Sequence, residues 1–293
     1  MVFCGLGACT SAEIADTDDL DTAETDVVET DAVETDTLET DGIDTDDTGD
    51  LLKPTFTAGG WNLESGGATI EGIGSVFPAV EGVSLWGLSE TEAEWAPSLA
   101  TMAGAEPFDY VLGTTGYSDR LLILWDPSVF EKVDEFEVED VNLNGSLRAP
   151  LVVHLRVREG GREFLFMVNH LWRSDSEGRS EQAELLNAWV TSQGLPVIAV
   201  GDYNFDWSVT TDDHDPAYDK MVENGDWTWV RPDVLSKTQC SDYNSVLDFA
   251  FVSVEVLYWM PDSSILTPDA EWCPDDDTRP DHRPVSLEVT LPG

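Results

Sequence analysis

The sequence predicts an α/β or α+β sandwich, on three observations. It carries several apolar runs of strand length, only two convincing helical stretches, and polar residues that recur at the ends of the apolar runs. The central run is Pro196-Val-Ile-Ala-Val-Gly-Asp-Tyr-Asn204. Its four consecutive apolar residues, Val197 to Val200, cannot alternate between a wet and a dry face, so they read as a strand buried on both sides. The run stops at Gly201, and Asp202 and Asn204 then stand at its C-terminal edge, where a rigid scaffold can present a carboxylate and an amide. An Asx-rich turn is the plainer reading of the same two residues.

The other elements follow in chain order from Pro54. Thr55 to Ala58 alternate, and the switch at Trp61-Asn62 reads as a strand ending in an amide. Val83 to Glu90 repeats that arrangement with a carboxylate. Residues 91–104 read as largely helical, with Pro97 limiting how far back the helix can begin. Leu121 to Trp125 is a strand turned by Asp126-Pro127. Leu151 to Val157 and Phe164 to Val168 form a hairpin around Glu159-Gly160-Gly161, and its second strand runs into Asn169-His170. Ser180 to Ser192 is the second helix; Leu185, Leu186, Trp189 and Val190 share a face, and Gly194 sits where a C-terminal cap belongs. Val246 to Val252 is a strand with Asp248 among apolar residues, and Val285 to Leu291 alternates strictly behind Asp281-His282-Arg283-Pro284.

Charge separates the chain into parts. The 293 residues carry a formal net charge of -45, unevenly spread: residues 12–50 hold 17 of the 59 acids and none of the 14 Lys and Arg. The remainder has 42 acids against 14 bases, a net near -28, which repels polyanions at long range. In residues 12–50 Thr-Asp recurs every five residues, at 25–26, 30–31, 35–36, 40–41 and 45–46. With few apolar residues and many like charges, residues 10–53 read as a disordered acidic linker; a weak calcium-binding tract is the alternative. Leu6-Gly7-Ala8-Cys9 resembles a bacterial lipoprotein cleavage box, so residues 1–9 read as a truncated lipoprotein signal with a lipid anchor at Cys9; a meaningless short N-terminus is the alternative. The acidic linker would then hold an exported domain away from a membrane. The four Cys and four His form no short zinc motif, and no stretch nears the roughly 20 apolar residues of a membrane-spanning helix.

The residues that break the apolar pattern are Asn62, Glu90, His170, Asp202, Asn204, Asp248, Asp281 and His282. In the fragments Trp61-Asn62, Leu88-Ser89-Glu90, Asn169-His170-Leu171, Gly201-Asp202-Tyr203-Asn204, Leu247-Asp248-Phe249 and Asp281-His282-Arg283-Pro284 they resemble the endonuclease/exonuclease/phosphatase superfamily, in its order and at compatible spacing over residues 54–293. That family usually has Gln before its metal-binding Glu and Ser before its Asp-His pair; here Ser89 and Pro280 stand there, and neither change removes a charged group. The resemblance implies a catalytic domain over 54–293 with a four-layer α/β sandwich, two packed mixed sheets flanked by helices.

It also implies phosphodiester hydrolysis, in which a cation offsets the charge that builds on the phosphoryl oxygens. Carboxylates at strand ends suit Mg²⁺ or Mn²⁺; Glu90 and Asp281 are the expected ligands, with Asn62 in support. Asp202 and Asn204 lie around the phosphate and the attacking water. His282 pairs with Asp248, and either Asp202 or His282 activates the water. His170 donates to a phosphate oxygen or protonates the leaving group, and Arg148 matches a phosphate-contacting Arg of the nuclease branch. The plainer readings are a backbone-satisfied strand Asp for Asp248, a structural strand-end His for His170 and a surface ion pair for Arg148. His154 and His214 read as structural or solvated, and the Trp residues as packing.

The stretch around Asn169-His-Leu-Trp-Arg173 and Gln182-Ala-Glu-Leu-Leu is most similar to the extracellular nuclease-like branch, which puts a nuclease first, a small or lipid phosphoester second and a non-catalytic surface binding protein third. An exported, monomeric protein at the bacterial cell surface, in the periplasm or secreted is expected. In that setting Cys240 and Cys273 pair as a disulfide, with free buried thiols as the alternative.

Overall fold

The computed structural model describes residues 53–269, 272–275 and 277–292. The lipoprotein signal, Cys9 and nearly all of the acidic linker lie outside the described residues. Among the described residues, twelve strands are arranged in two six-stranded sheets. They are β1 (Thr55–Asn62), β2 (Leu85–Thr91), β3 (Asp109–Leu112), β4 (Arg120–Trp125), β5 (Phe130–Glu137), β6 (Leu151–Val157), β7 (Glu163–His170), β8 (Val197–Ser208), β9 (Trp227–Trp229), β10 (Ser245–Ser253), β11 (Asp262–Ile265) and β12 (Val285–Thr290). One sheet runs β11-β12-β1-β2-β4-β3 and the other β5-β6-β7-β8-β10-β9. Both are mixed. β1 and β2 are parallel, as are β7 and β8, and every other pairing is antiparallel. The sheets thus repeat one topology, each with a central parallel pair that needs a crossover.

Helices supply those crossovers and cover the outer faces. α1 (Ile70–Val76) joins β1 to β2, and α2 (Ala96–Met102) lies beside it; α3 (Ser176–Val190) joins β7 to β8, and α4 (Pro216–Met221) packs on α3. Thr69 caps α1, Asp175 caps α3 and Asp215 caps α4, each accepting backbone N–H groups of the first turn. Three apolar clusters alternate with the layers. Phe56, Phe130, Phe164, Val200 and Leu287 fill the space between the sheets. Leu186, Tyr203, Phe205, Phe249 and Phe251 lie between β5–β10 and α3/α4. Trp61, Phe77, Trp86, Leu99 and Trp272 lie between the other sheet and α1/α2. The result is the expected helix–sheet–sheet–helix sandwich.

The pleat decides where the polar residues go. On β8, Ile198 and Val200 face the inner core while Val197, Ala199, Tyr203 and Phe205 face the helices, so Asp202 and Asn204 keep the inner parity. Phe164, Phe166 and Val168 are inner on β7, which gives His170 the same side; Ala250 and Val252 do so for Asp248, and Phe56 and Ala58 for Asn62. Several elements differ from the sequence reading. β8 does not stop at Gly201 but continues to Ser208, bent by positive φ at Gly201, Asn204 and Asp206. α3 starts four residues earlier, at its Asp175 cap, and ends on Thr191 rather than using Gly194. Short β3, β9, β11 and α4, and the exposed strand β5, carry no sustained apolar period; α1 spaces Ile70, Ile73 and Val76 on one face but runs for only seven residues.

The two sheets touch most closely next to the polar edge. A Cβ on Gly87 would sit 2.6 Å from Val200 Cγ2 and 3.0 Å from Val168 Cβ, and one on Gly60 would sit 2.8 Å from Val200 Cβ. Gly87→Ala is therefore expected to lower stability by about 1–3 kcal/mol through overpacking, measured by denaturant unfolding, with part of the loss recovered when Val200→Ala is added. An unchanged midpoint in the single variant would show that the sheets can separate freely at this point.

Candidate active site

β1, β2, β7, β8 and β10 end or bend at one edge of the sandwich, and their polar side chains meet there. Glu90 needs a special device. By alternation from Leu88 it would face the helices, but a register shift between Leu88 and Thr91 and a φ of 50° at Glu90 turn it into the edge cleft. Asn62 Nδ2 then donates to Glu90 Oε1 at 3.0 Å and to Asp202 Oδ2 at 3.1 Å, tying the two sheets together. Its Oδ1 accepts the backbone N–H of Glu64 at 3.0 Å. Trp61 Nε1 donates to the carbonyl of His282 at 2.8 Å, which brings the last loop onto β1.

Asp202 sits at the centre, buried, with an imidazole on either side. His282 Nδ1 is 2.7 Å from Asp248 Oδ2, and its Nε2 is 3.9 Å from Asp202 Oδ2 and 3.8 Å from Asp281 Oδ1. His170 Nε2 is 3.6 Å from both Glu90 Oε1 and Asp202 Oδ2, and its Nδ1 faces Asp119 Oδ1 at 3.6 Å. Each ring is thus backed by a carboxylate on Nδ1 and presents Nε2 to Asp202. Burial works against charging His282, but the adjacent Asp248 carboxylate, helped by Asp202 and Asp281, pushes it up to about 10. Burial tends to raise Asp119, yet His170 and Arg148 together hold it below the ordinary carboxylate range. Asn204 donates its backbone N–H to Asp202 Oδ1 at 3.0 Å and its amide to Leu171 O at 3.3 Å. Arg148 spends its fork inside the protein, on Asp119 at 2.8 Å and the carbonyl of His170 at 3.3 Å.

Glu64, Glu90, Asp202 and Asp281 line one cleft of about 70 Å³ together with Arg173, Asn204, Gln239 and His282. Burial first, and then the neighbouring Asp281 charge, push Glu64 up to about 7. Carboxylates crowded to that extent fit a hard cation, and the donors are all oxygen. Gln239 Nε2 donates to Asp281 Oδ2 at 2.8 Å and Glu64 Oε2 accepts the N–H of Asp281 at 2.9 Å, so both flanks of Asp281 are fixed. Two His-containing groups, Glu90/Asp119/His170 and Asp202/Asp248/His282, each bring three ligand atoms within 4.8 Å of one another.

All the residues singled out in the sequence lie at this edge. Sequence reasoning missed Asp119, Glu64, Gln239 and Arg173. Glu64, two residues after Asn62 and on the same parity, had a signal; Asp119 and Gln239 sit in loops that only the fold brings here. His154 pairs with Glu163, and His214 stacks on Trp207, both away from the cleft.

No protein-family model matches the chain, and no curated protein does. Solved structures do. An endonuclease/exonuclease/phosphatase family protein from Bacteroides thetaiotaomicron is 20% identical over 82% of this chain and 99% of its own, with a TM-score of 0.65. A mannosyl-6-phosphatase of the same organism is 20% identical over 80% and 100%, at 0.62. D. rerio TDP2 complexed with single-strand DNA product is 12% identical over 81% and 99%, at 0.61. The fold is that of the endonuclease/exonuclease/phosphatase proteins.

Cys240 and Cys273, 33 positions apart in sequence, are joined by a disulfide with Cα atoms 5.4 Å apart. Cys240 N donates to the carbonyl of Asp281 at 2.8 Å, so the link braces the loop that carries Gln239 against the one that carries Asp281. The Cys240→Ser/Cys273→Ser protein should lose about 3–4 kcal/mol on the chain-entropy argument, seen as a lower denaturation midpoint. A midpoint equal to that of the parent would show that the bond braces nothing.

Proposed function

We propose that the chain is an exported, metal-dependent phosphoester hydrolase of the endonuclease/exonuclease/phosphatase family. One observation carries this reading: two carboxylate-backed imidazoles converge on a buried Asp202 at the rim of a cleft lined by three more carboxylates. Glu90 and Asp281, with Glu64 beside them and Asn62 steadying Glu90 through its amide, would hold Mg²⁺ or Mn²⁺. When bound, that cation offsets the charge developing on the phosphoryl and leaving oxygens.

The chain's own residues account for the proton movements. Asp202 takes a proton from the attacking water, whose oxygen adds to phosphorus as the P–O bond to the alcohol breaks. His170, steadied by Asp119, gives its Nε2 proton to the departing alkoxide, which balances the proton that Asp202 gains. His282, held by Asp248, stays a proton-bearing contact to a non-bridging phosphoryl oxygen. Asn204 positions Asp202 through its backbone N–H. Arg148 acts through Asp119 and the His170 carbonyl rather than on the phosphate.

The lipoprotein-like Cys9, the acidic spacer over residues 10–53 and the disulfide support export, since disulfides persist in oxidising compartments. We read the protein as a monomer. The similar folds include one described as a phosphatase of a mannosyl phosphate and one holding a DNA product. The nuclease-like reading follows from the stretch after His170. The net charge near -28 outside the acidic linker favours a small phosphoester instead, because Lys and Arg contacts dominate nucleic-acid affinity.

Assays of DNA, RNA, sphingomyelin and bis-p-nitrophenyl phosphate side by side with Mg²⁺ or Mn²⁺ decide between these readings. Asp202→Asn and His282→Ala should each lower kcat by about 10²–10⁴-fold in protein that still folds, with a lower thermal midpoint for His282→Ala because it strands the buried Asp248 carboxylate, and EDTA should abolish turnover until Mg²⁺ or Mn²⁺ is restored. Full activity in either variant, or with EDTA present, refutes the roles assigned.

A further inference from the structure

A second cavity of about 240 Å³ opens directly beside the acidic cleft, smaller than the roughly 300–1,000 Å³ of sites for drug-sized ligands. Arg173, Asn204 and Gln239 line both, so the two form a continuous site. The walls of the second mix polar groups with the carbon faces of Leu247 and Tyr243. Asp206 and Ser245 supply a carboxylate and a hydroxyl, Gln239 and Asn204 amides, and Tyr243, 74% exposed, stands at the lip as an aromatic face.

Arg173 is the distinctive member. The chain has only 14 Lys and Arg against 59 acids, and most of the described cations are engaged in ion pairs or on carbonyls. Among the described residues the guanidinium of Arg173 has no hydrogen-bond or ion-pair partner, although it lies beside Glu64, Glu90, Asp202 and Asp281. Its backbone is held from behind. Buried Arg179 donates to the carbonyls of Trp172 at 2.7 Å and Arg173 at 2.9 Å, and Gln182 Oε1 accepts the N–H of Trp172 at 2.8 Å. Arg173 is exposed, so its unpaired guanidinium can swing from a braced backbone to meet an anion at the cleft mouth.

The geometry points to this cavity as the subsite for the alcohol arm of a small, hydroxyl-rich phosphoester, of sugar or polyol class, with Arg173 gripping its phosphate at the boundary between the two cavities. Carboxylate, amides, hydroxyl and one aromatic face are what a compact polyol needs for paired hydrogen bonds and a stacking surface. Leu247 and the Tyr243 ring are the only apolar side chains among the described residues that line this cavity, too little to sheathe a lipid chain. A polynucleotide finds no run of cations, and Asp206 would repel its next phosphate.

The inference rests on the hydrolase reading above, and the test separates the two. Wild-type protein with Mn²⁺ is given bis-p-nitrophenyl phosphate, glycerophosphoinositol, a hexose 6-phosphate, a single-stranded DNA oligomer and phosphatidylinositol vesicles. One of the two polyol esters should exceed the DNA and the vesicles in kcat/KM by about tenfold or more. Arg173→Ala should raise KM for that ester by about tenfold with a smaller change in kcat, and Arg173→Lys should recover part of it. Asp206→Ala and Tyr243→Ala should raise KM for the polyol ester more than for bis-p-nitrophenyl phosphate. Cleavage of bis-p-nitrophenyl phosphate without any polyol preference, or equal losses on both substrates in the variants, overturns the subsite alone. Failure to cleave any substrate overturns the hydrolase reading and this inference with it.

Discussion

The pleat of two sheets pressed together is the constraint on which everything else depends. The strand faces that seal the inner core with Phe164, Phe166, Val168, Ile198 and Val200 are the same faces that present His170, Asp202 and Asn204 one or two pleats further on. Alternation leaves those polar groups no other side to occupy. Because Gly60 and Gly87 lack side chains at the contact, the sheets approach closely next to that edge, and Asn62 of one sheet reaches Asp202 of the other at 3.1 Å. A site made from two sheets is rigid for the same reason that the core is dense.

Once gathered, the carboxylates set the electrostatics. Glu64, Glu90, Asp202 and Asp281 share one small cleft, and like charges at such a site raise one another's proton affinity unless a cation or imidazolium intervenes. The arrangement supplies two imidazoles, each backed by its own carboxylate, and space for a hard cation. Asp119 and Asp248 therefore keep the rings oriented, and Arg148 is drawn into that framework through Asp119.

Much of this was legible in the sequence. The apolar runs located the central strands, and the residues that interrupt them were the ones the fold brings together. Asp202 was readable but its setting was not: a polar stretch after Gly201 looks like a strand end, whereas β8 pairs onward with β10, and Asp248 lies opposite Asp202. Asp119 was illegible because it follows a loop, Tyr117-Ser118, with no period of its own, and its value comes from His170, distant in sequence. Gln239 became informative only through the pairing of its loop with His282. β5 escaped because six of its eight residues are exposed, which leaves no alternation to detect.

The central claim is that the crowded carboxylates form a cation site, and the most direct measurement needs no substrate. Thermal unfolding is followed as Mn²⁺ is raised, for the parent protein and for a Glu90→Gln/Asp281→Asn variant. Binding to the folded state alone adds RT ln(1 + [Mn²⁺]/Kd), about 2.7 kcal/mol at one hundred times Kd, so the parent midpoint should climb with Mn²⁺ and the variant's should stay level. A parent protein indifferent to Mn²⁺, or a variant that climbs equally, would contradict the account.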